Sequence, residues 1–220
     1  MPSPRHFFVM LVLAAYPMLT TAQQPPAPQN VAILIYDGVY LLDFTGPMEI
    51  FSDVQTGDTA RVFNVYTVGP TANAIRCHTG LRCTPAYSIA DSPQPDILVV
   101  PGGERDLATT HPAVGEWIRG AAAKAQIVMS VCTGAFILAE LGMLDGLEAT
   151  TWYGAAGNLR KRYPAIRVCE GKRFTDNGKV ITTAGISAGI DGALHVVERL
   201  LGKETAERTA KFVEYARPTK

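Results

Sequence analysis

One cysteine of this chain, Cys132, stands where a thiol can act as a nucleophile. It follows a short apolar run at 127–131 and precedes small residues and a helix-forming stretch, which predicts a strand, a sharp turn and a helix. A thiol at that bend faces the unpaired N–H groups of a helix start, which favour the thiolate. The thiolate is the reactive form, so the position indicates covalent chemistry. The alternative is a buried structural cysteine.

The segments around this cysteine alternate between strand and helix patterns. Strands are predicted at 31–36, 62–68, 96–100, 127–131 and 180–183, and helices include 112–124 and 187–201. This alternation predicts an α/β fold, in which a mostly parallel sheet is covered by helices on both faces.

Asp43, Gly102, Gly103 and Cys132 each follow a predicted strand. Parallel sheets bind ligands at the carboxyl ends of their strands, so these residues are expected at the ligand-binding edge. The two glycines can expose backbone N–H groups, although a Pro-Gly-Gly sequence alone indicates only a turn. Asp43 precedes a helix predicted to open at Thr45-Gly46-Pro47, so it can also be interpreted as a helix cap.

The composition excludes several classes of protein. The chain has 220 residues, enough for one well-packed domain, and 47% hydrophobic with 18% charged residues is typical of a globular protein. Twenty basic and 20 acidic residues give a formal net charge of zero, with no basic tract, so no nucleic-acid partner is expected. No cluster has the spacing of metal ligands, and no metal or organic cofactor is expected.

Residues 1–22 have the pattern of a signal peptide. Arg5 precedes an apolar run at 7–19, and small residues at Thr20 and Ala22 predict cleavage after Ala22. The run is short for a membrane span of about 20 residues, which makes an uncleaved anchor the less favoured alternative. A periplasmic or secreted protein without stable membrane association is therefore expected. Residues 23–30, with three prolines, are expected to form an extended linker before a domain at 31–220.

Export would permit disulfide bonds. Cys77 and Cys83 are symmetric about Gly80 in a hairpin predicted at 75–85, which would place them opposite each other. A cross-strand disulfide is one interpretation of this spacing, and two free thiols are the other.

The sequence resembles the ThiJ/PfpI family, relatives of the class I glutamine amidotransferases, over about residues 31–215. Motifs carry the resemblance at Tyr36–Gly38 with Leu42–Pro47, Val100–Gly103, Ser130–Gly134 and Ala184–Asp191. The branch that it resembles most contains isonitrile hydratases and the sensor domains of AraC-type regulators, which carry the Leu-Asp-x-x-Gly-Pro motif. The resemblance implies a flavodoxin-like three-layer sandwich with a nucleophile elbow, and a homodimer.

The resemblance also implies roles for individual residues. Cys132 matches the elbow nucleophile, and Asp43 matches the acid that exchanges a proton with the thiol or the substrate. A carboxyl near a thiolate and away from water is expected to have a raised pKa, so that it can donate a proton. The N–H groups of Gly103 and Thr133, with Gly102 beside them, would form an anion hole next to the sulfur. The Thr133 hydroxyl serves either the site or a local hydrogen bond at the helix start.

One stretch departs from the family pattern. Where the family commonly has Ala-Thr-Thr-His-Trp, this chain has Ala149-Thr150-Thr151-Trp152-Tyr153, and members with a Cys–His pair take the histidine from there. The histidines of this chain fall elsewhere in the sequence, at His6, His78, His111 and His195. Protease, amidase and glutaminase activities are therefore disfavoured. Trp152 and Tyr153 are candidates to shape an apolar substrate pocket, or they are core aromatics.

The resemblance and the residues together favour an isonitrile hydratase-like enzyme acting on a small molecule. In this hypothesis the Cys132 thiolate attacks the terminal carbon of an isonitrile and Asp43 supplies a proton. Water then breaks the thioimidate to give an N-substituted formamide.

Two alternatives use the same scaffold. The first is a non-catalytic module that binds a small molecule or senses oxidation through Cys132. AraC-type regulators carry a DNA-binding region after the family domain, and the short stretch that follows it here disfavours transcriptional regulation. The second alternative is a glyoxalase-like or deglycase-like activity, which the missing histidine disfavours.

Overall fold

The computed structural model describes residues 27–56, 61–104 and 111–217. The predicted signal peptide at 1–22 and the first half of the predicted linker, 23–26, lie outside the described residues. The first strand begins at Gln29, within the last two residues of that linker. No described helix is both long and apolar enough to cross a lipid bilayer.

Strands and helices alternate along the described chain, as the sequence pattern indicates. The strands are β1 (Gln29–Leu34), β2 (Phe63–Gly69), β3 (Ile75–Arg76), β4 (Arg82–Cys83), β5 (Tyr87–Ser88), β6 (Ile97–Val100), β7 (Ile127–Val131), β8 (Glu148–Ala149), β9 (Arg167–Val168), β10 (Phe174–Asp176) and β11 (Val180–Thr183). The helices are α1 (Leu41–Ser52), α2 (Pro112–Lys124), α3 (Gly134–Glu140), α4 (Ala156–Arg162), α5 (Ala188–Leu201) and α6 (Lys203–Phe212), with a 3₁₀ turn at Tyr153–Ala155.

Within the described residues, seven strands form one sheet in the order β10-β11-β7-β6-β1-β2-β5. All neighbours are parallel except β10 and β11. The central strands β6, β7 and β11 are buried along their whole length, because helices cover both faces of the sheet. The predicted α/β class, a mostly parallel sheet in a three-layer sandwich, is confirmed.

Helix α1 begins earlier than the sequence pattern predicts. It starts at Leu41 rather than at Thr45, so Pro47 lies inside the helix instead of at its first position. Gly46 lies against α5, where a Cβ atom would come within 3.0 Å of the Ile190 side chain. Packing between α1 and α5 therefore outweighs the local preference of a Gly-Pro pair for a turn.

The register of the β3–β4 hairpin also differs from the prediction. Ile75 pairs with Cys83, and the Cys77 N–H donates to the Leu81 carbonyl at 2.8 Å, so the hairpin is centred on Thr79 rather than on Gly80. Cys77 and Cys83 are consequently diagonal neighbours and not directly opposite. Their Sγ atoms are 4.0 Å apart and both residues are free thiols in this structure.

Candidate active site

Cys132 occupies the sharp bend between β7 and α3. Its backbone has φ of +57°, which a non-glycine residue rarely adopts and which neighbouring contacts must therefore hold. The Cys132 N–H donates to the Ala184 carbonyl at 3.1 Å, and its carbonyl accepts from the Thr151 hydroxyl at 2.8 Å. A Cβ atom on Gly134 would lie 2.1 Å from the Val100 carbonyl oxygen, so the helix can begin here only with glycine. These contacts build the predicted elbow.

Asp43 lies in the first turn of α1 and is fully buried. Its Oδ2 accepts a hydrogen bond from the Gly102 N–H at 3.1 Å, across the gap between α1 and the end of β6. The residue before the helix, Tyr40, makes no side-chain cap. The carboxyl of Asp43 therefore contacts the neighbouring strand end, rather than the N–H groups of its own helix as the capping interpretation requires.

Burial raises the pKa of Asp43 to about 7, in the direction that the sequence predicts. The Gly102 N–H, the Cys132 thiol and the Ile186 N–H act against that rise because they favour the carboxylate. Among the described residues, the buried Oδ1 of Asp43 has no partner in regular hydrogen-bond geometry.

The pKa of Cys132 is raised to about 12, mainly by burial and then by the negative charge of Asp43. This runs against the expectation that the helix start holds the thiol ionised. The Thr133 and Ile186 N–H groups do lower the pKa of Cys132, but by less than burial and the carboxylate raise it. The carboxyl and the thiol therefore form a coupled pair that keeps one proton between them over a wide pH range.

The backbone donors nearest the sulfur differ from the predicted pair. The Gly103 N–H donates to the Thr133 hydroxyl oxygen at 3.1 Å, and the Gly102 N–H is taken by Asp43. The N–H groups that favour the Cys132 thiolate belong to Thr133 and Ile186. Ile186 follows β11, has φ of +55° and was not singled out from the sequence, although it lies within a family motif. Its position after a strand beside β7 is the feature that could have identified it.

A cavity of about 150 Å³ opens above the sulfur. Cys132 and Thr133 form its floor and Trp152 forms part of its wall; the remaining lining comes from Tyr40, Gly103 and Ile186. Tyr153 does not line this cavity, but its ring contacts the Trp152 ring at a tilt of 59° with 5.1 Å between centroids, and it is 84% exposed. The mostly apolar lining suits an uncharged reactive group.

Tyr36 is buried and packs against the end of β6 beside the site. Its hydroxyl donates to the Pro101 carbonyl at 3.0 Å, and burial together with the charges of Asp43 and Cys132 raises its pKa strongly, so the phenol stays neutral. A Cβ atom on Gly103 would meet the Tyr36 ring at 2.7 Å, which explains why glycine is needed there.

No histidine lines this cavity in the part of the chain that the structure describes. The ring of His78 contacts the ring of Tyr40, with 4.2 Å between the centroids. His195, on α5, forms a hydrogen bond of 2.7 Å between its Nε2 atom and Asp176. The same part of the chain contains no group of three His, Cys, Asp or Glu side chains placed to hold a metal ion.

The sequence profile of the DJ-1/PfpI family matches residues 29–199. The chain belongs to this family. An isonitrile hydratase of Pseudomonas putida is 34% identical over 195 residues, which cover 85% of this chain and 78% of the hydratase. The HTH-type transcriptional regulator GbdR of Pseudomonas aeruginosa is 22% identical over 86% of this chain, which spans 52% of the regulator.

Solved structures agree with this family assignment. The crystal structure of a ThiJ/PfpI family protein from Pseudomonas syringae superposes with a TM-score of 0.77 and 25% identity, covering 94% of this chain and 84% of that one. The crystal structure of an AraC family transcriptional regulator from Pseudomonas putida has a TM-score of 0.74 and 22% identity, covering 84% of this chain and all of that one. The latter similarity supports the fold alone.

Proposed function

We propose that this protein is an isonitrile hydratase-like enzyme, with Cys132 as nucleophile and Asp43 as proton carrier. The observation that carries the proposal is a buried carboxyl that interacts with a buried thiol beneath a mostly apolar cavity. We infer that the two groups share one proton near neutral pH. The similarity to the Pseudomonas putida hydratase supports the same chemistry. An isonitrile is uncharged and compact, and its terminal carbon accepts a nucleophile and then a proton.

In the first step, the shared proton moves to Asp43 and leaves the sulfur of Cys132 as thiolate. The Thr133 and Ile186 N–H groups stabilise that negative charge. An electron pair of sulfur forms the S–C bond to the terminal isonitrile carbon, and this carbon takes the proton from Asp43. The product is a thioimidate on Cys132 beside an Asp43 carboxylate.

In the second step, the Asp43 carboxylate acts as a base. It removes a proton from water as the water oxygen adds to the thioimidate carbon, and it passes this proton to the substrate nitrogen. The hydroxyl of the resulting intermediate then returns its proton to Asp43 while the C=O bond forms and the C–S bond breaks. The formamide leaves and the pair again holds one proton, so one isonitrile and one water give one formamide.

A direct test combines product analysis with mass spectrometry of the protein. The purified protein is expected to convert a simple isonitrile to the formamide and to carry, during turnover, an adduct of the whole isonitrile mass on Cys132. Cys132→Ala is expected to abolish both, whereas Cys169→Ser is the matched control, since Cys169 lies outside the lining of this cavity and its thiol donates to the Arg167 carbonyl. Equal formamide from the wild type and Cys132→Ala would reject the proposal.

The second candidate function is binding of a small molecule without turnover. The regulators among the relatives favour it, because this chain matches about half of their length. Oxidative sensing is less well supported by the site, since a raised pKa of Cys132 leaves little thiolate to react with peroxide. A ligand that binds tightly while no isonitrile is hydrated would favour the binding module.

We also propose that the chain is processed after Ala22, acts in the periplasm or outside the cell, and forms a homodimer. Sequencing of the N-terminus of protein recovered from that compartment tests the processing. Sedimentation of the processed protein tests the dimer.

A further inference from the structure

A second cavity of about 680 Å³ lies next to the cavity above Cys132. We call the two the outer cavity and the inner cavity. Both are lined by Trp152 and Ile186, so these two side chains form their common wall. The Trp152 ring lies so close to Gly185 and Gly154 that a Cβ atom on either glycine would come within 2.5 Å of it. The wall therefore keeps its position only because both neighbours lack side chains.

The two cavities differ in the size of the molecule that each can hold. Pockets for whole small molecules are typically about 300–1,000 Å³. The inner cavity, at about 150 Å³, holds the reacting group with only a few further atoms, whereas the outer cavity falls within the usual range. A larger substituent on a group bound at Cys132 can therefore pass Trp152 and Ile186 and be accommodated in the outer cavity.

The polar groups of the outer cavity are mainly hydrogen-bond donors. Lys172 Nζ bonds to Glu148 at 3.0 Å, and Arg173 Nε bonds to Asp191 at 2.7 Å. Both carboxylates lie outside the cavity lining, and each cation retains further N–H donors after its ion pair. Ser187 holds Arg173 Nη2 at 3.2 Å and stands at the start of the long helix α5, whose dipole adds positive potential.

One acidic group balances part of this charge. Glu170 lines the outer cavity, but its carboxylate is bound by Arg160 at 2.7 Å. The lining thus carries two cations and one carboxylate, and each of the three is held in an ion pair. The remaining N–H groups of Lys172 and Arg173 are the charged donors on this wall, and Trp152 and Tyr153 supply apolar surface beside it.

We propose that the outer cavity is the substituent subsite of this enzyme and that it takes isonitriles whose substituent ends in a carboxylate. This inference rests on the proposed hydratase function and specifies the substrate class. The isonitrile carbon occupies the inner cavity, the chain of the substituent crosses the edge of Trp152, and the carboxylate accepts hydrogen bonds from Lys172 and Arg173.

The experiment compares two isonitriles of equal chain length, an ω-isocyano alkanoate and the n-alkyl isonitrile without the acid. The ratio of their kcat/KM values measures recognition of the carboxylate. We expect the full processed protein to prefer the acid by about tenfold at the best chain length. Lys172→Met is expected to lower the ratio, because it removes one of the two donors to the carboxylate. The Lys172 side chain is 53% exposed, so the substitution is not expected to disturb packing.

Lys179→Met is the matched control, since it removes the same charge from a lysine that bonds to the Ala123 carbonyl at the other end of β11. It is expected to keep the wild-type ratio. Ser187→Ala, which removes one hydroxyl, is a second variant and is expected to lower the ratio. A wild-type ratio near one, or an unchanged ratio in both Lys172→Met and Ser187→Ala, would overturn the subsite while the hydratase function stands. Absence of formamide from both isonitriles would overturn the proposed function and the subsite together.

Discussion

The chemistry of this site depends on one proton shared by two residues. Asp43 and Cys132 come from different helix starts, and burial raises the pKa of each. The negative charge of Asp43 raises the pKa of Cys132 further. The pair is therefore protonated twice in acid, once around and above neutrality, and not at all only in strong alkali. Only the singly protonated pair has both a nucleophile and a proton to deliver.

The pH dependence of isonitrile hydration tests this account. Since the pKa of Asp43 is about 7, kcat/KM is expected to rise about tenfold per pH unit below 7 and to level off above it. Asp43→Asn removes the proton carrier, so it is expected to lower kcat/KM by at least about a hundredfold and to abolish the rise near neutrality. Asp145→Asn, at an exposed position, is expected to keep the wild-type profile. A wild-type profile in Asp43→Asn would contradict the shared proton.

The sequence identified some residues of the site and missed others. Cys132, Asp43 and Thr133 stand in local motifs, so residue type and position after a strand identified them as candidates. Ile186 and Thr151 contribute a backbone N–H and a support for the elbow, which depend on where two distant segments meet the bend. Such contributions leave no trace in residue type and emerge only from the folded chain.

The nucleophile elbow is an element whose geometry must be held by its neighbours. Its strained residue Cys132 is fixed on one side by the Ala184 carbonyl and on the other by the Thr151 hydroxyl. Thr151 belongs to the stretch after β8, where the family commonly continues with histidine. Thr151 therefore positions Cys132 by a hydrogen bond to the Cys132 carbonyl and does not touch the reacting atoms.

Thr151→Val tests this positioning role. The substitution keeps the shape of the side chain but leaves the buried Cys132 carbonyl without the hydroxyl, which costs about 1–3 kcal/mol of unfolding free energy. We expect slower alkylation of Cys132 and a lower kcat, both restored by Thr151→Ser. Thr209→Val is the matched control, because this buried threonine bonds within α6 at 2.9 Å, away from the site, and should lower Tm alone. Equal alkylation rates in Thr151→Val and the wild type would show that Thr151 has no positioning role.

Elements with a strong periodic pattern were predictable, and those fixed by packing were not. The bounds of α2, β7 and β11 agree with the sequence pattern because apolar residues recur with a clear period between turn residues. Helix α1 began four residues early because its contact with α5 accommodates Pro47. The β3–β4 register differs from the prediction by two positions on one strand, which moves the hairpin centre by one residue, because the turn places Gly80, with φ of +89°, after its centre.

At the scale of the whole molecule, the order of the strands explains why the site exists where it does. The chain moves from β1 to β2 on one side and places β6 on the other side of β1, so a crevice opens between the ends of β1 and β6. Asp43 and Gly102 face each other across that crevice, and Cys132 follows the next strand, β7. The edge rule for parallel sheets was therefore sufficient to predict which strand ends would meet. The sequence offered Trp152 as a candidate for a pocket wall, but it could not predict the two cavities on either side of that wall, because Trp152 meets Gly185 and Ile186 only through tertiary packing.

The buried carboxyl also has a consequence for the stability of the whole protein. The unfolded chain loses the proton of Asp43 near its ordinary pKa of 3.8, whereas the folded protein keeps it until about pH 7. A raised folded pKa means that Asp43 stabilises the protein most at low pH and that this stability is lost as pH rises from about 4 to about 7. The shift corresponds to at most about 4 kcal/mol at pH 8.

Asp43→Asn should therefore increase the free energy of unfolding more at pH 8 than at pH 4, since the amide keeps an acceptor for the Gly102 N–H but never carries a charge. Denaturant titrations of both proteins at the two pH values measure the difference. Carboxylates with a lowered pKa, such as Asp176, change the stability in the opposite direction below pH 4. Their contributions are the same in both proteins, so they cancel when the variant is compared with the wild type. Asp145→Asn is expected to show no such pH-dependent gain. A gain for Asp43→Asn that is the same at both pH values would mean that folding does not raise the pKa of Asp43, and the expected rise of kcat/KM toward pH 7 would then lose its basis.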